Sequence, residues 1–275
     1  MYESYWQFEC NPFENNADVG FFYQSETHQA ALLKLRYVIE NRKGAALLVG
    51  GVGSGKSFLV NALAQQLGEN QGPFVQIVFP QMSAAELLAY LAVELGAEES
   101  AVGSEAGGMD RTIRQIQQLL LQYSLRARHP VIVIDEAHLI EDPHVFQALR
   151  LLLNFQQQNG VSFTLILSGQ RDLLSRVHRM PQLEERIGVK CLLRPLSYDE
   201  TLAYITHRLQ VAGSQQAMFE PQALDAIFEL SGGIPRKINR LCDLALLVGY
   251  ADGSASLSAE QLEAVSEELT AVGSD

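Results

Sequence analysis

Eight consecutive residues carry the clearest chemistry in the chain. Gly50-Gly51-Val52-Gly53-Ser54-Gly55-Lys56-Ser57 fits the pattern G-x-x-x-x-G-K-[ST]. Glycines let a backbone curl until successive N–H groups point inward, where a Cβ would intrude, and such a nest binds phosphate. A helix starting near Lys56 adds the positive end of its dipole. Lys56 then brings a point charge to the β- and γ-phosphates, and Ser57 a hydroxyl ligand for Mg²⁺. Gly50 to Phe58 is the expected nucleotide-binding segment.

A second group supplies carboxylates. Val131-Ile132-Val133-Ile134 reads as a buried strand, and Asp135-Glu136 follows it, 79 residues beyond Lys56. A carboxylate at the C-terminal edge of a parallel sheet can hold Mg²⁺ through water, which is the role expected of Asp135. Glu136 is placed to orient and polarise the attacking water. Asp135-Glu136-Ala137-His138 also spells DEAH, which invites a helicase reading. Such an enzyme needs a second nucleotide-binding-type domain, and only 137 residues remain after His138, ending all-helical. His138 either relays nucleotide state or packs beside the site.

Further polar groups follow. The run Val161–Leu167 leads into Ser168-Gly169-Gln170, where a γ-phosphate sensor would sit. Gln170, or Ser168 in its place, can hydrogen-bond water or phosphate; a plain turn would use the same residues. Arg171, Arg176, Arg179 and Arg186 come next. One of them, Arg186 first, is expected to reach a neighbouring subunit's nucleotide as an arginine finger, worth roughly 10³–10⁵ in rate where it operates. A solvated basic face is the alternative. Gly232-Gly233-Ile234-Pro235-Arg236 puts Arg236 in the first turn of a helix, where the dipole disfavours a cation. A counter-charge is implied, and a γ-phosphate is one.

The elements that must hold these groups alternate. Ala45–Val49, Phe74–Phe79, Val131–Ile134, Val161–Leu167 and Val189–Leu193 read as strands. Lys56–Leu67, Ser83–Leu95, Asp110–Ala127 and a segment from Pro143 to about Gln158 read as helices, with Ser83 and Glu86 forming a capping box. Gly96–Gly108 is small and polar, a surface loop by composition. Short apolar strands separated by helices predict an α/β domain with a parallel sheet covered on both faces. Beyond Arg194-Pro195 only helical signals remain: a capping box at Ser197–Glu200, helix starts at Pro221 and Pro235, and a cap at Ser258–Gln261. Two domains are therefore expected, 1–194 with an N-terminal arm over 1–30, and a helical lid over 195–275.

Composition sets outer bounds. The 275 residues are 47% hydrophobic and 19% charged, which excludes a disordered or collagen-like chain. The formal charge is −12, with net −8 of it after residue 194. An acidic whole removes the simplest argument for nucleic acid. No apolar run approaches the ~18–20 residues that span a bilayer, and the opening lacks the pattern of a secretory signal. Three scattered cysteines point to a reducing, cytoplasmic setting with no thiol zinc site.

Taken in order, these motifs resemble an AAA+ ATPase, a P-loop NTPase. The chain is similar to the ExeA/GspA group of secretion-associated ATPases and their relatives from pilus and exopolysaccharide loci. Asn11-Pro12-Phe13, Phe21-Phe22-Tyr23-Gln24-Ser25 with His28, Gly50–Ser57, Asp135–His138, Ser168–Gln170, Arg194–Ser197 with Glu200-Thr201, and Ser231–Asn239 with Leu241–Asp243 carry the resemblance. It implies a five-stranded sheet with a helical lid, ATP-dependent homo-oligomerisation, and Mg²⁺-dependent hydrolysis at subunit interfaces. It further implies Arg236 as a second sensor and places Tyr23 and His28 near the adenine. For those aromatics, packing of the N-terminal arm is an equal reading. Full-length secretion proteins of the group continue into a membrane span and a peptidoglycan-binding part, and direct cell-wall binding is not among the expectations carried over to these 275 residues.

Three functions remain. The leading one is a cytoplasmic motor or switch, peripheral to the inner membrane through a partner, that helps assemble an envelope machine. The second is a DNA-associated regulator of the TniB-like transposition type; residues 171–194 carry six basic groups against three acidic ones. The third is a nucleotide-gated scaffold with slow hydrolysis.

Overall fold

The computed structural model describes residues 1–15, 19–78, 80–98, 108–158, 160–214 and 216–271. Most of the loop expected over 96–108 lies outside them, as do Phe79 and Asn159. The chain divides into two compact units. One comprises Thr27–Val52 and Leu59–Leu193; the other comprises Met1–Glu26, Gly53–Phe58 and Arg194–Asp275.

The elements run α1 (Glu3–Trp6), α2 (Glu26–Glu40), β1 (Ala45–Gly50), α3 (Lys56–Gln66), β2 (Phe74–Ile77), α4 (Ala84–Glu94), α5 (Gly108–Leu125), β3 (Val131–Ile134), α6 (Pro143–Gln158), β4 (Thr164–Gly169), α7 (Asp172–His178), α8 (Pro181–Glu184), β5 (Ile187–Leu193), α9 (Tyr198–Val211), α10 (Pro221–Ser231), α11 (Pro235–Asp252) and α12 (Ala259–Ala271).

In the first unit the five strands form one sheet in the order β2-β3-β4-β1-β5, and every pairing is parallel. The three central strands are buried at every residue and apolar apart from Thr164 and Ser168 of β4. The edge strands β2 and β5 alternate between more and less buried positions over most of their length, as strands with an open side do. A continuous core joins strand residues such as Leu47, Ile132 and Leu167 to Leu87, Leu91, Leu149 and Leu153 of the covering helices. The Ser83–Glu86 capping box forms as read, with both reciprocal bonds made.

Strand β4 starts three residues later than its apolar run suggests and ends two later. The N–H of Ser162 donates to the Ser124 hydroxyl at 2.8 Å, so this residue does not enter the ladder. The shift brings Ser168 and Gly169 inside the strand. The arginine-rich segment after it is two short helices, α7 and α8, with Pro181 opening the second.

In the second unit, α9 to α12 pack around their own core with the N-terminal segment, through Tyr2, Trp6, Phe8, Phe13 and Phe21. Trp6 Nε1 donates to the Leu246 carbonyl at 3.0 Å, and Asn11 Nδ2 to Asp243 at 3.1 Å. Buried Arg208 lies 4.4 Å from the centre of the Phe21 ring and donates to the carbonyls of Pro12 and Glu14. A cation between carbonyls and an aromatic face ties the arm.

His129 fastens the far end of the sheet. It lies two residues before β3, with Nδ1 2.8 Å from the Ser162 hydroxyl and Nε2 2.8 Å from the Thr164 hydroxyl at the start of β4. Burial, and then the charge of Arg42, pushes its pKa down to about 4. In the unfolded chain it titrates near 6.5, so below that pH the unfolded state binds the extra proton. This contribution is complete above pH ~7 and is lost as the pH falls from about 6.5 to 4, at up to about 1.4 kcal/mol per pH unit. Denaturant unfolding should therefore show the advantage of the wild type over His129→Gln shrinking across that window and constant above it.

Candidate nucleotide site

The sheet gathers one set of groups. Ile134 pairs with Leu167 and Val49 with Gly169, so the C-terminal ends of β3, β4 and β1 lie side by side. Asp135 continues β3 as a carboxylate only 1% exposed, and its N–H donates to the Ile77 carbonyl at 2.8 Å. Its Oδ1 accepts from the Glu136 N–H at 2.9 Å. Glu136 has a left-handed backbone (φ 48°, ψ 34°), which turns its side chain out of the strand's alternation.

A 3₁₀ turn, Ala137–Leu139, follows and carries His138. The His138 Nδ1 lies 3.1 Å from Glu136 Oε2, and its Nε2 lies 2.7 Å from the Gln170 amide nitrogen. Asp135, Glu136, His138 and Gln170 thus form one cluster. Ser168 Oγ is buried and makes no hydrogen bond among the described residues.

Arg186 sits elsewhere in this unit. It immediately precedes β5, whose Ile187 pairs with Ala45 at the start of β1, and it donates to the Asn154 side chain at 3.1 Å. That is the edge opposite the C-terminal end of β1. Arg176 donates to the Ile140 carbonyl at 2.6 Å, whereas Arg171 and Arg179 are exposed. His28, on α2, is buried.

The second unit gathers the later half of the glycine-rich loop. Gly53 and Gly55 adopt φ of +73° and +87°, conformations closed to most side chains. The Gly53 carbonyl accepts from the Arg236 N–H at 3.3 Å, and a Cβ at Gly53 would stand 2.6 Å from Arg236 Cβ. Lys56 is 5% exposed although it is a lysine, and Ser54 is buried beside it in sequence; Ser57 stands in the first turn of α3.

Arg236 opens α11 after Pro235 and is exposed. Its place is fixed by Gly233, where a Cβ would come within 2.1 Å of the Leu196 carbonyl oxygen, and Leu196 N–H donates to the Gly233 carbonyl at 2.8 Å. Phe58 stacks on Phe22, rings 5.3 Å apart and 22° from parallel. Tyr23 packs against Tyr204 and His207 at 5.9 and 5.8 Å, and burial, then the charge of Glu200, raises its pKa.

Of the loop's first three residues, Gly50 ends β1, Gly51 has nothing within 4 Å of an added Cβ, and Val52 is 58% exposed. In the helical unit, glycines with positive φ and a buried lysine suit phosphate better than an apolar ligand, and in the sheet unit the buried Asp135 carboxylate suits a cation. Two features escaped the sequence. Phe22 as the partner of Phe58 lacked any spacing signal, and the bridging position of His138 depends on a packing that only the sheet order creates.

A family profile for the AAA domain matches residues 39–177, and the chain belongs to that family. It is 33% identical over 280 residues to the general secretion pathway protein A of Aeromonas hydrophila, covering 98% of this chain and 50% of that protein. The chain thus spans half the length of that curated relative, and the GspA-like character read from the motifs holds. Among solved structures, Cdc6p of Pyrobaculum aerophilum matches with a TM-score of 0.72 at 17% identity, over 91% of this chain and 70% of that one. The ORC2 protein of Aeropyrum pernix matches at 0.71 and 16%, over 95% and 72%. These likenesses establish the fold: a P-loop AAA+ fold with a five-stranded parallel sheet and a helical C-terminal part.

The two loop glycines differ in a measurable way. Gly53→Ala should cost about 1–3 kcal/mol of stability, from strained φ plus the Arg236 contact, whereas Gly51→Ala should stay within about 0.5 kcal/mol. Chemical denaturation of both variants checks this.

Proposed function

We propose that this chain binds ATP with Mg²⁺, hydrolyses it, and uses the cycle to drive homo-oligomeric assembly or remodelling of a cell-envelope machine such as a secretion system. The observation that carries the reading is the glycine-built loop with buried Lys56, in a chain whose sheet also ends in Asp135-Glu136. Similarity to a general secretion pathway protein supports the envelope role. No helix among the described residues is long and apolar enough to cross a membrane. The reading places the chain in the cytoplasm, peripheral to the inner membrane through a partner.

Each residue has a distinct part. The amides of Gly51 to Lys56 hold the phosphates, and the ammonium of Lys56 offsets charge on the β- and γ-oxygens. Ser57 and Asp135 would hold Mg²⁺, directly and through water, and the ion would supply positive charge against the phosphates. Glu136 polarises the attacking water, and Gln170 reads the γ-phosphate. Phe58, Tyr23 and His28 serve the base, Arg236 acts as the second sensor, and Arg186 serves the nucleotide of a neighbouring copy.

Glu136→Gln should keep ATP affinity within a few-fold while lowering kcat by roughly 10²-fold or more, since the loss falls on the transition state. Lys56→Ala should weaken ATP binding at least about tenfold, through lost charge on the phosphates. Calorimetric titration with ATP and Mg²⁺, together with phosphate release, checks both. In a separate measurement, mixing Arg186→Ala with Glu136→Gln protein should restore part of the turnover that neither shows alone; a mixture as inactive as its components would remove Arg186 from the shared site.

A further inference from the structure

We propose that His138 is a positioning residue that latches the water-polarising Glu136 to the sensor Gln170 and restrains turnover until that sensor is engaged; the inference rests on the roles given to those two residues above. Its ground is the bridge itself. The two ring nitrogens of His138 face different groups, Glu136 Oε2 at 3.1 Å and the Gln170 amide nitrogen at 2.7 Å. These groups belong to different strand ends, Glu136 after β3 and Gln170 after β4.

Donor logic fixes the tautomer. An amide N–H of Gln170 donates to Nε2, so the single ring proton of a neutral imidazole stays on Nδ1. Nδ1 is buried and has no linear hydrogen bond among the described residues. The Glu136 carboxylate lies 3.1 Å from it, close enough to accept this proton once the two groups align. Leaving a buried N–H without an acceptor is unfavourable, which favours that alignment.

The packing keeps the ring in place. A Cβ at Gly169 would meet the His138 backbone nitrogen at 3.1 Å and its Nδ1 at 3.3 Å, so any larger residue at the end of β4 would crowd the ring here. In this arrangement one of the two amide N–H groups of Gln170 is turned to Nε2 of His138, and one of the two oxygens of Glu136 lies beside Nδ1. Both side chains are therefore aimed at the ring, and Gln170 must turn for its amide to face a phosphate. When it does, His138 loses its Nε2 partner and with it the constraint that fixes the Nδ1–H tautomer, so the hold on Glu136 relaxes.

Two readouts test this, on the full chain. The first is independent of hydrolysis: ¹⁵N spectra of the six histidines, with the His138 signals identified by their absence in His138→Asn. At about pH 8 without nucleotide, His138 should be the Nδ1–H tautomer and should shift towards Nε2–H in Gln170→Leu. An Nε2–H tautomer in the wild type overturns the latch, whatever the turnover. The second is kinetic: His138→Ala should raise basal kcat at least about threefold with KM for ATP within about twofold. His138→Asn keeps a donor where Nδ1 stood and should return kcat to within about twofold of the wild type. An unchanged or lowered kcat in His138→Ala overturns the latch. A wild type without any turnover would defeat the hydrolytic reading instead, and the tautomer would still decide the latch.

Discussion

The parallel register of three strands is the constraint on which the site depends. Parallel strands all point one way, so a single edge collects every C-terminal end. Because β4 lies between β3 and β1, and Ile134 pairs with Leu167, the last two residues of β4 run on beside Asp135 and Glu136. A slip of one residue would turn Ser168 and Gly169 to opposite faces and put a Cβ where the His138 ring lies. The register is pinned from the other edge as well, where His129 bonds Ser162 and Thr164. A buried histidine remote from the chemistry thus helps to set which group faces it.

Backbone strain is stored at this edge too. Glu136 is one of four non-glycine residues with positive φ among the described residues, and a left-handed non-glycine costs on the order of 1 kcal/mol. The turn is held by the bond from Glu136 N–H to Asp135 and by Leu139 N–H donating to the Glu136 carbonyl at 2.8 Å. In the helical unit the contact of Gly233 with Leu196 does comparable work, since a strand-like approach of two backbones there sets where α11 begins. Both devices aim one side chain, Glu136 in one unit and Arg236 in the other.

Much of this was legible in the chain itself. Fully apolar β-branched runs announce buried parallel strands, and the capping boxes at Ser83 and Ser197 fix two helix starts by local chemistry alone. The glycine-rich loop was readable because the positive φ values it needs exclude other residue types. What stayed hidden depends on tertiary placement. The late start of β4 follows from the Ser124 hydroxyl, which is 38 residues away in sequence. The reach of His138 to Gln170 spans 32 residues and follows from strand order, which periodicity does not encode. The N-terminal segment reads as an arm, yet its grouping with α9–α12 rests on Arg208 and Trp6, two residues that follow no local pattern.

Geometry also bears on how the site is completed. Arg186 stands at the start of β5 and Gly50 at the end of its neighbour β1, paired with Leu193. Six residues of parallel strand separate those positions along the sheet, about 20 Å at ~3.3 Å per residue. An arginine side chain extends about a third of that distance. Arg186 thus lies at the opposite end of the strands from Gly50, where it donates to Asn154. Under the proposed function it would serve the nucleotide of another copy, and hydrolysis would then be a property of the assembly. An isolated chain with the latch closed would then lack both an engaged sensor and its trans arginine, which is the state a nucleotide-gated switch needs while it waits for its neighbour.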